Sequence, residues 1–239
     1  MAEQELIKHT KKIFGIWTTQ STFLHKLSDF ITEILIIVFA ITVSIYFHDR
    51  SELRHQRRDT KEFLLGLKED LKTDIAEMKD DKNSYEKGGL AFKYITHRKL
   101  NEPLNADSIY KYKRWISNTT GLIPNNGRFE GFKSSGKIGT IEDKDLQNNI
   151  MDLYQEDIPT LLASTNLYTS RKLKLFDYFA ENGKRISDTT DNLLSMLTSE
   201  QGYNLCSGLT FVREILDRYD TCISKMQTIT AEINKDYGQ

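Results

Sequence analysis

The segment from Gly131 to Lys137 has the residue types of a phosphate-binding loop. It reads Gly-Phe-Lys-Ser-Ser-Gly-Lys and fits the first seven positions of the P-loop, in which glycines and backbone amides surround phosphate oxygens. The next position needs Ser or Thr to hold magnesium, but Ile138 stands there, and the preceding residues do not read as the buried strand that a P-loop follows. We therefore interpret the segment as a helix end and a turn, formed by Gly136 and Gly139.

A second pattern with chemical potential is the pair Arg50 and His55. Four residues separate them, which matches the signature of HEPN ribonuclease domains, where motifs from two protomers form an acid–base site for RNA cleavage. In those domains the motif lies deep in a helical bundle, whereas here it directly follows a long apolar segment. We therefore interpret it as part of a membrane-proximal basic collar that is attracted to anionic headgroups. The collar comprises Arg50, Arg54, Arg57, Arg58 and Lys61.

The histidines and cysteines predict no metal centre. The five histidines include no HExxH spacing, and the two cysteines include no CxxC spacing. If one helix holds most of the interval between Cys206 and Cys222, the thiols are too far apart for a disulfide, so we expect two buried thiols. We expect no metal, no cofactor and no catalytic residue, and we do not expect an enzyme.

Basic and aromatic residues alternate between Lys93 and Trp115. Rings that stack on bases and cations that follow phosphates are typical of single-stranded nucleic-acid binding. The same pattern is equally typical of two amphipathic helices that bury their rings and expose a basic face. The chain has 33 Lys and Arg against 34 Asp and Glu, so no overall positive charge favours nucleic acid. The candidate nucleic-acid patch consists of Lys93, Arg98, Lys99, Lys111, Lys113 and Arg114.

One apolar segment determines how these residues are positioned. Phe30 to Phe47 is an apolar run of 18 residues, long enough for one helix to cross a bilayer. We predict an amphipathic interfacial tail over 1–27, a transmembrane helix over 28–48, a membrane-proximal stalk helix over 49–87 and a soluble helical domain over 88–239. Lysines and arginines flank the span almost equally, so the side of the membrane that holds the soluble domain is undetermined.

One face of the predicted span is small and polar. Asp29, Thr32, Glu33, Ala40 and Ser44 share an arc of the helix, and most large apolar side chains point elsewhere. Small residues allow close helix approach, and a carboxylate at membrane depth normally faces protein or water. We predict self-association through this face, with a pore lined by Glu33 as its sharpest form. The alternative is that Asp29 and Glu33 reach the headgroup boundary.

The rest of the chain reads as helices, which predicts an all-α fold. Apolar residues recur at steps of three and four after the span, and Gly88 and Gly89 suggest an interruption. Asp107 is placed to cap a short helix. Two longer helices are expected at Asp143 to Asn182, kinked by Pro159, and at Gly208 to Asp236, which carries a coiled-coil-like seam. We find no run of alternating β-branched residues bounded by hairpin turns.

Three patches in order resemble a known family. They read TEILIIVFAITVSIYF, FLLGLKEDLKTDI and FEGFKSSGKIGTIEDKDLQNNIMDL. The chain resembles a family of small single-pass membrane proteins of unknown function that is common in Bacteroidota. It departs at Thr32, where the family has glycine, and at Phe47 to Asp49, which replaces an asparagine–tryptophan pair. The resemblance implies a bacterial inner membrane. The architecture is also similar to that of the one-span accessory membrane proteins of RNA-targeting (type VI-B) CRISPR systems.

The sequence therefore predicts a non-enzymatic, homo-oligomeric inner-membrane protein that assembles through its span and its long helical seams. Its partners would be the lipid bilayer and other copies of the chain. The alternative is a membrane-tethered module that recruits RNA or a nucleoprotein complex through the basic patch, such as a phage-defence accessory protein.

Overall fold

The computed structural model describes residues 23–99, 102–188 and 190–237, and it confirms the all-α prediction. Residues 1–22 of the predicted interfacial tail lie outside the described part. Within that part the only β-type contact is an isolated bridge between Arg185 and Asp191. The α-helices are α1 Phe23–Thr96, α2 Ala106–Ile116, α3 Gly127–Ser134, α4 Lys144–Asp152, α5 Ile158–Asn182, α6 Leu193–Thr198, α7 Glu200–Ser207 and α8 Arg213–Tyr237.

The chain forms two compact units, 1–59 and 60–239, and α1 begins in the first and ends in the second. The predicted stalk does not coincide with this division, because residues 60–87 belong to the second unit. The reason is a buried stripe on α1 at alternating steps of four and three residues, which packs into the core of that unit. The stripe contains Thr60, Leu64, Leu67, Leu71, Asp74, Met78, Asp81, Tyr85, Gly88, Phe92 and Ile95.

Helix α8 also contributes to the core of the second unit. Tyr219, Met226, Ile229 and Ile233 are fully buried on this helix, which packs against α4 and α5. The coiled-coil-like seam predicted here therefore has its partners inside the same unit. This packing does not support the expectation that the seam joins protomers, because its central residues are already covered.

The predicted interruption at Gly88 and Gly89 is wrong, because α1 continues unbroken to Thr96. Both glycines are buried within the helix. A Cβ atom added at Gly89 would lie 2.6 Å from Cγ2 of Val212, so this glycine allows the segment before α8 to approach α1. Close packing, rather than a turn, explains the glycine at 89.

The caps of α2 and α4 and the turn before α5 agree only in part with the sequence predictions. Asp143 caps α4, since its carboxylate accepts hydrogen bonds from the backbone of Asp145 and Leu146. The cap of α2 is Asn105, whose side chain accepts from the Ser108 backbone, and not Asp107. The irregularity expected at Pro159 is a π-helical turn at Leu153–Asp157, directly before α5.

Acidic residues of α1 hold the connection between α2 and α3, together with the first turn of α3, and this segment runs antiparallel to α1. We call these acids the carboxylate row. As the chain advances from Thr120 to Arg128, its successive contacts fall on acids nearer the start of α1. Asp81 accepts from Thr120, and Glu77 accepts from the Ile123 backbone at 3.3 Å. Asp74 accepts from Asn125 Nδ2 at 2.6 Å, and Asp70 accepts from Arg128 Nε at 2.9 Å. Burial raises the pKa of Asp74 and of Asp81.

Candidate functional site

The apolar segment of α1 is exposed along its length. Among the described residues, α1 is the one helix long and apolar enough to cross a membrane, and its most apolar window of 18 residues has a mean hydropathy of 2.4 and is 6% buried. Such low burial differs from that of a core helix, whose apolar residues are covered by neighbours. The large side chains that lie exposed here include Phe30, Leu35, Phe39, Ile45 and Phe47.

The predicted contact face divides into four exposed residues and one buried residue. Asp29, Thr32, Ala40 and Ser44 are exposed, whereas Glu33 is only 7% exposed. The Thr32 hydroxyl donates to the Ser28 carbonyl at 2.8 Å, so the helix itself satisfies this polar group. The face thus presents small residues, with Asp29 near one end of the span.

The basic collar lies on the exposed surface of α1. Arg50, Arg54, Arg57 and Arg58 belong to the first unit, and Lys61 belongs to the second. Arg50 donates to the Tyr46 hydroxyl at 3.0 Å, and its guanidinium lies 5.8 Å from the centre of that ring. His55 contacts Arg58 at 3.4 Å. Arg50 and His55 therefore engage different neighbours on an exposed helix.

The P-loop-like segment forms a helix end and a turn, as interpreted from the sequence. Gly131 lies inside α3, which ends at Ser134, and Gly136 follows with a φ of 73° in the left-handed region. A 3-10 turn at Lys137–Thr140 continues the chain. Phe132 of this segment stacks on Phe63 of α1, with the ring centres 3.9 Å apart. Packing on α1 accounts for the conformation of this segment.

The candidate nucleic-acid patch is brought together at the end of α1 and on α2. Five of its cations are exposed and Arg98 is half-buried. The Tyr94 and Tyr112 rings lie 6.1 Å apart, which joins the two elements, and both rings pack against the core. Tyr110, by contrast, is 78% exposed. Tyr94 and Tyr112 therefore serve packing.

The cysteines are two buried free thiols, as expected, although they lie on different helices, Cys206 on α7 and Cys222 on α8. Burial raises the pKa of each thiol to about 12. Across the described residues, no group of three or more His, Cys, Asp or Glu side chains is arranged to hold a metal ion.

A polar cavity in the second unit was not predicted from the sequence. It has a volume of about 230 Å³ and lies among α1, the end of α2 and α5. Lys172 and Arg114 bring positive charge to its wall, and Asp80 and Asp81 bring negative charge. Asp80 and Arg114 are exposed at the rim, whereas Lys172 and Asp81 are buried.

Lys172 is the most unusual side chain of the cavity, because it is 6% exposed. Its ammonium donates to the backbone carbonyls of Trp115, at 2.6 Å, and of Asn118. It also lies 5.8 Å from the ring centre of Phe92. The Trp115 carbonyl belongs to the last turn of α2, where the helix dipole attracts a cation. No carboxylate in the described part of the chain pairs with this ammonium, and burial lowers its pKa to about 8.

Asp81, on the part of the cavity wall formed by α1, is held by hydroxyl groups. Its carboxylate accepts from the Thr120 hydroxyl and from the Tyr219 hydroxyl at 3.2 Å. Tyr85 donates to the Thr120 carbonyl at 3.0 Å and packs edge-on against Tyr168. This network holds the carboxylate in place, and burial raises the pKa of Tyr85 to about 12.

A sequence signal for the cavity was present on α5. Leu161, Thr165, Tyr168, Lys172 and Leu175 recur at steps of four and three, and all are buried. A lysine inside an apolar stripe is rarely tolerated without a partner for its charge, so its position marks a special environment. Asp74 and Asp81 occupy the stripe of α1 in the same way.

Together, these elements define an all-α protein whose described residues include one helix, near the N-terminus, that is long and apolar enough to span a membrane. The chain belongs to the family of unknown function DUF6090, whose model matches residues 33–202. The match begins within the apolar segment and includes the residues of the polar cavity. No curated protein and no solved structure matches the chain.

Proposed function

We propose that the protein is a non-enzymatic, single-pass protein of the bacterial inner membrane that forms homo-oligomers through its transmembrane helix. The observation that carries the proposal is the exposed apolar segment of α1, of which an 18-residue window is 6% buried. Soluble monomers rarely expose a continuous apolar surface of this kind to water. A bilayer core about 30 Å thick would cover it.

The residues at the end of the segment fit a membrane interface. Tyr46 and Arg50 are joined by a hydrogen bond of 3.0 Å, and tyrosine is enriched where a span meets the headgroups. Arg54, Arg57 and Arg58 follow on exposed positions. Their charges would be attracted to anionic lipid headgroups.

Self-association is supported by the composition of the predicted contact face. Ala40 and Ser44 are small and exposed, which allows a second helix to approach closely. Glu33 shares this arc, and a carboxylate at membrane depth normally faces protein or water. In the narrowest form of the proposal, the Glu33 carboxylate, which is 7% exposed in the single chain, turns toward the symmetry axis on assembly, and a ring of these residues lines a cation-selective pore.

The non-enzymatic assignment is supported by what the two catalytic-like patterns do in the structure. The segment from Gly131 to Lys137 forms a helix end and a turn. Arg50 contacts Tyr46, whereas His55 contacts Arg58, so they do not form a common site.

Detergent-extracted protein provides the test. We expect Ala40→Leu and Glu33→Leu to shift the mass measured by light scattering toward smaller species. Ile41→Leu, on the adjacent face, is the matched control and should leave the mass unchanged, because it does not alter the small-residue surface. An unchanged mass for both contact-face variants would rule out assembly through this face.

A second candidate function is a membrane-tethered module that recruits RNA or a nucleoprotein complex, as in phage defence. The observation that favours it is the juxtaposition of exposed cations at the end of α1 and on α2, beside the exposed ring of Tyr110. We expect binding of single-stranded RNA that weakens steeply with salt and is reduced in Lys111→Ala and Lys113→Ala. Lys174→Ala, elsewhere on the surface, is the control. Salt-independent binding, or equal loss in the control, would contradict this function.

A further inference from the structure

The ammonium of Lys172 has one hydrogen-bond donor to spare at the cavity wall. A lysine ammonium carries three donors, and the backbone carbonyls of Trp115 and Asn118 take two of them. Within the described residues, no acceptor takes the third. A buried, unpaired ammonium favours an anionic partner, because hydrogen bonds between charged groups are strong where water is excluded.

The remaining charges of the cavity show what kind of molecule would complete it. Arg114 adds a second positive charge at the rim, whereas Asp80 and Asp81 present negative charge on the wall formed by α1. Each Asp81 oxygen accepts one described hydrogen bond and retains acceptor capacity. A simple anion would satisfy the cations but face two carboxylates, so a molecule with both an anionic group and donor groups fits better.

The size of the cavity restricts the ligand further. Its volume of about 230 Å³ is below the usual range for drug-sized ligands, about 300–1,000 Å³. Gly88 forms part of the wall, and a Cβ atom added there would have the Tyr168 hydroxyl 3.7 Å away as its nearest neighbour. A longer side chain at this position would therefore enter the cavity without changing its charges.

We propose that this cavity binds a small amino acid or hydroxy acid, with its carboxylate held by Lys172 and Arg114 and its amino or hydroxyl donor directed to Asp81. The proposal is independent of membrane assembly, because all of these residues belong to the second unit. It assigns a ligand-binding role to the part of the chain that follows the span.

Trp115 lines the cavity and reports on binding. In full-length protein with Trp17→Phe, Trp115 is the only tryptophan, and its emission is followed during titration with serine, glycerate, acetate, ethanolamine and inorganic phosphate. We expect saturable binding of serine or glycerate. The affinity for acetate, ethanolamine and phosphate should be lower by a factor of roughly ten or more, because none of them offers both a carboxylate to the cations and an amino or carbon-bound hydroxyl donor to Asp81.

Two variants remove the site in different ways. Lys172→Met removes the ammonium, and Gly88→Leu fills the space while every charge stays; each should weaken binding at least roughly tenfold. Lys174→Met on the exposed face of α5 and Gly131→Leu in open space on α3 are the matched controls and should bind like the parent.

The parent protein alone can overturn the proposal, whether or not a variant folds. The proposal fails if neither serine nor glycerate gives a saturable change in Trp115 emission. It also fails if phosphate or acetate binds as tightly as serine and glycerate do. Saturable binding that persists in folded Gly88→Leu would also overturn it, because the ligand would then lie elsewhere.

Discussion

The clearest energetic consequence of the fold concerns Lys172, whose burial makes stability depend on pH. Burial lowers the pKa of this ammonium from 10.5 to about 8. Below the folded-state value the group is charged in both states, and the folded protein bears the full cost of its burial. Between the two values the unfolded chain holds a proton that the folded protein lacks, so stability rises with pH until the cost is gone.

The magnitude follows from the two pKa values. One pKa unit corresponds to about 1.4 kcal/mol, so the full cost is about 3 kcal/mol, and about 1.3 kcal/mol of it should be recovered between about pH 7 and about pH 9. Lys172→Met removes this contribution, although it also leaves the carbonyls of Trp115 and Asn118 without their donor, at about 1–3 kcal/mol each. The pH dependence separates the two effects, because only the first titrates.

The assay is urea unfolding of detergent-solubilised protein with Trp17→Phe, followed through Trp115. The parent should gain about 1.3 kcal/mol in the free energy of unfolding over Lys172→Met between about pH 7 and about pH 9. Lys174→Met is exposed and should show no such difference from the parent. A pH-independent difference between parent and Lys172→Met, or one of opposite sign, would refute the assignment of a buried, desolvated ammonium.

Three further outcomes are expected. In thermal unfolding, Gly88→Ala should stabilise the second unit by about 0.5–1 kcal/mol, because helix propensity rises and the added atom has room. Gly89→Ala should destabilise it by about 1–3 kcal/mol, because the added atom would collide with Val212. Equal effects of the two substitutions would contradict the packing described. If Glu33 lines a pore, Glu33→Gln should reduce cation preference in reversal potentials across planar bilayers, and absence of current in the parent would exclude a pore. The melting temperature should not respond to ATP in the parent or in Lys137→Ala, and an ATP-dependent rise lost in the variant would restore the P-loop interpretation.

The sequence predicted the helices better than the cavity, for a physical reason. Leu64, Leu67 and Leu71 repeat at the helical period, so local spacing alone indicates a buried stripe. The cavity joins Asp81, Arg114 and Lys172, which are far apart in the chain and meet only through packing. Only the placement of Asp81 and Lys172 in apolar stripes gave a hint of this.

Glycines and caps show a second limit of sequence reasoning. Gly88 and Gly89 read as a helix interruption because glycine is a poor helix former, but close approach of Val212 to Gly89 outweighs that preference. Asp107 and Asn105 are both good capping residues, and local sequence did not decide between them. Tertiary contacts made the choice in the first case.

The carboxylate row has a consequence for the order of folding. Its contacts close loops of increasing length, from 39 residues for Asp81 with Thr120 to 58 for Asp70 with Arg128, and Thr60 contacts Thr140 across 80. A direct closure of the longest loop costs about 0.6 kcal/mol more than the shortest, since the entropy cost rises by that amount per doubling. Once Asp81 has engaged Thr120, each later contact closes only a short additional loop. We therefore expect the connection to dock along α1 from Asp81 toward Thr60. Mutations at Thr120 should slow folding, whereas mutations at Arg128 should mainly speed unfolding; the reverse pattern in stopped-flow kinetics would contradict this order.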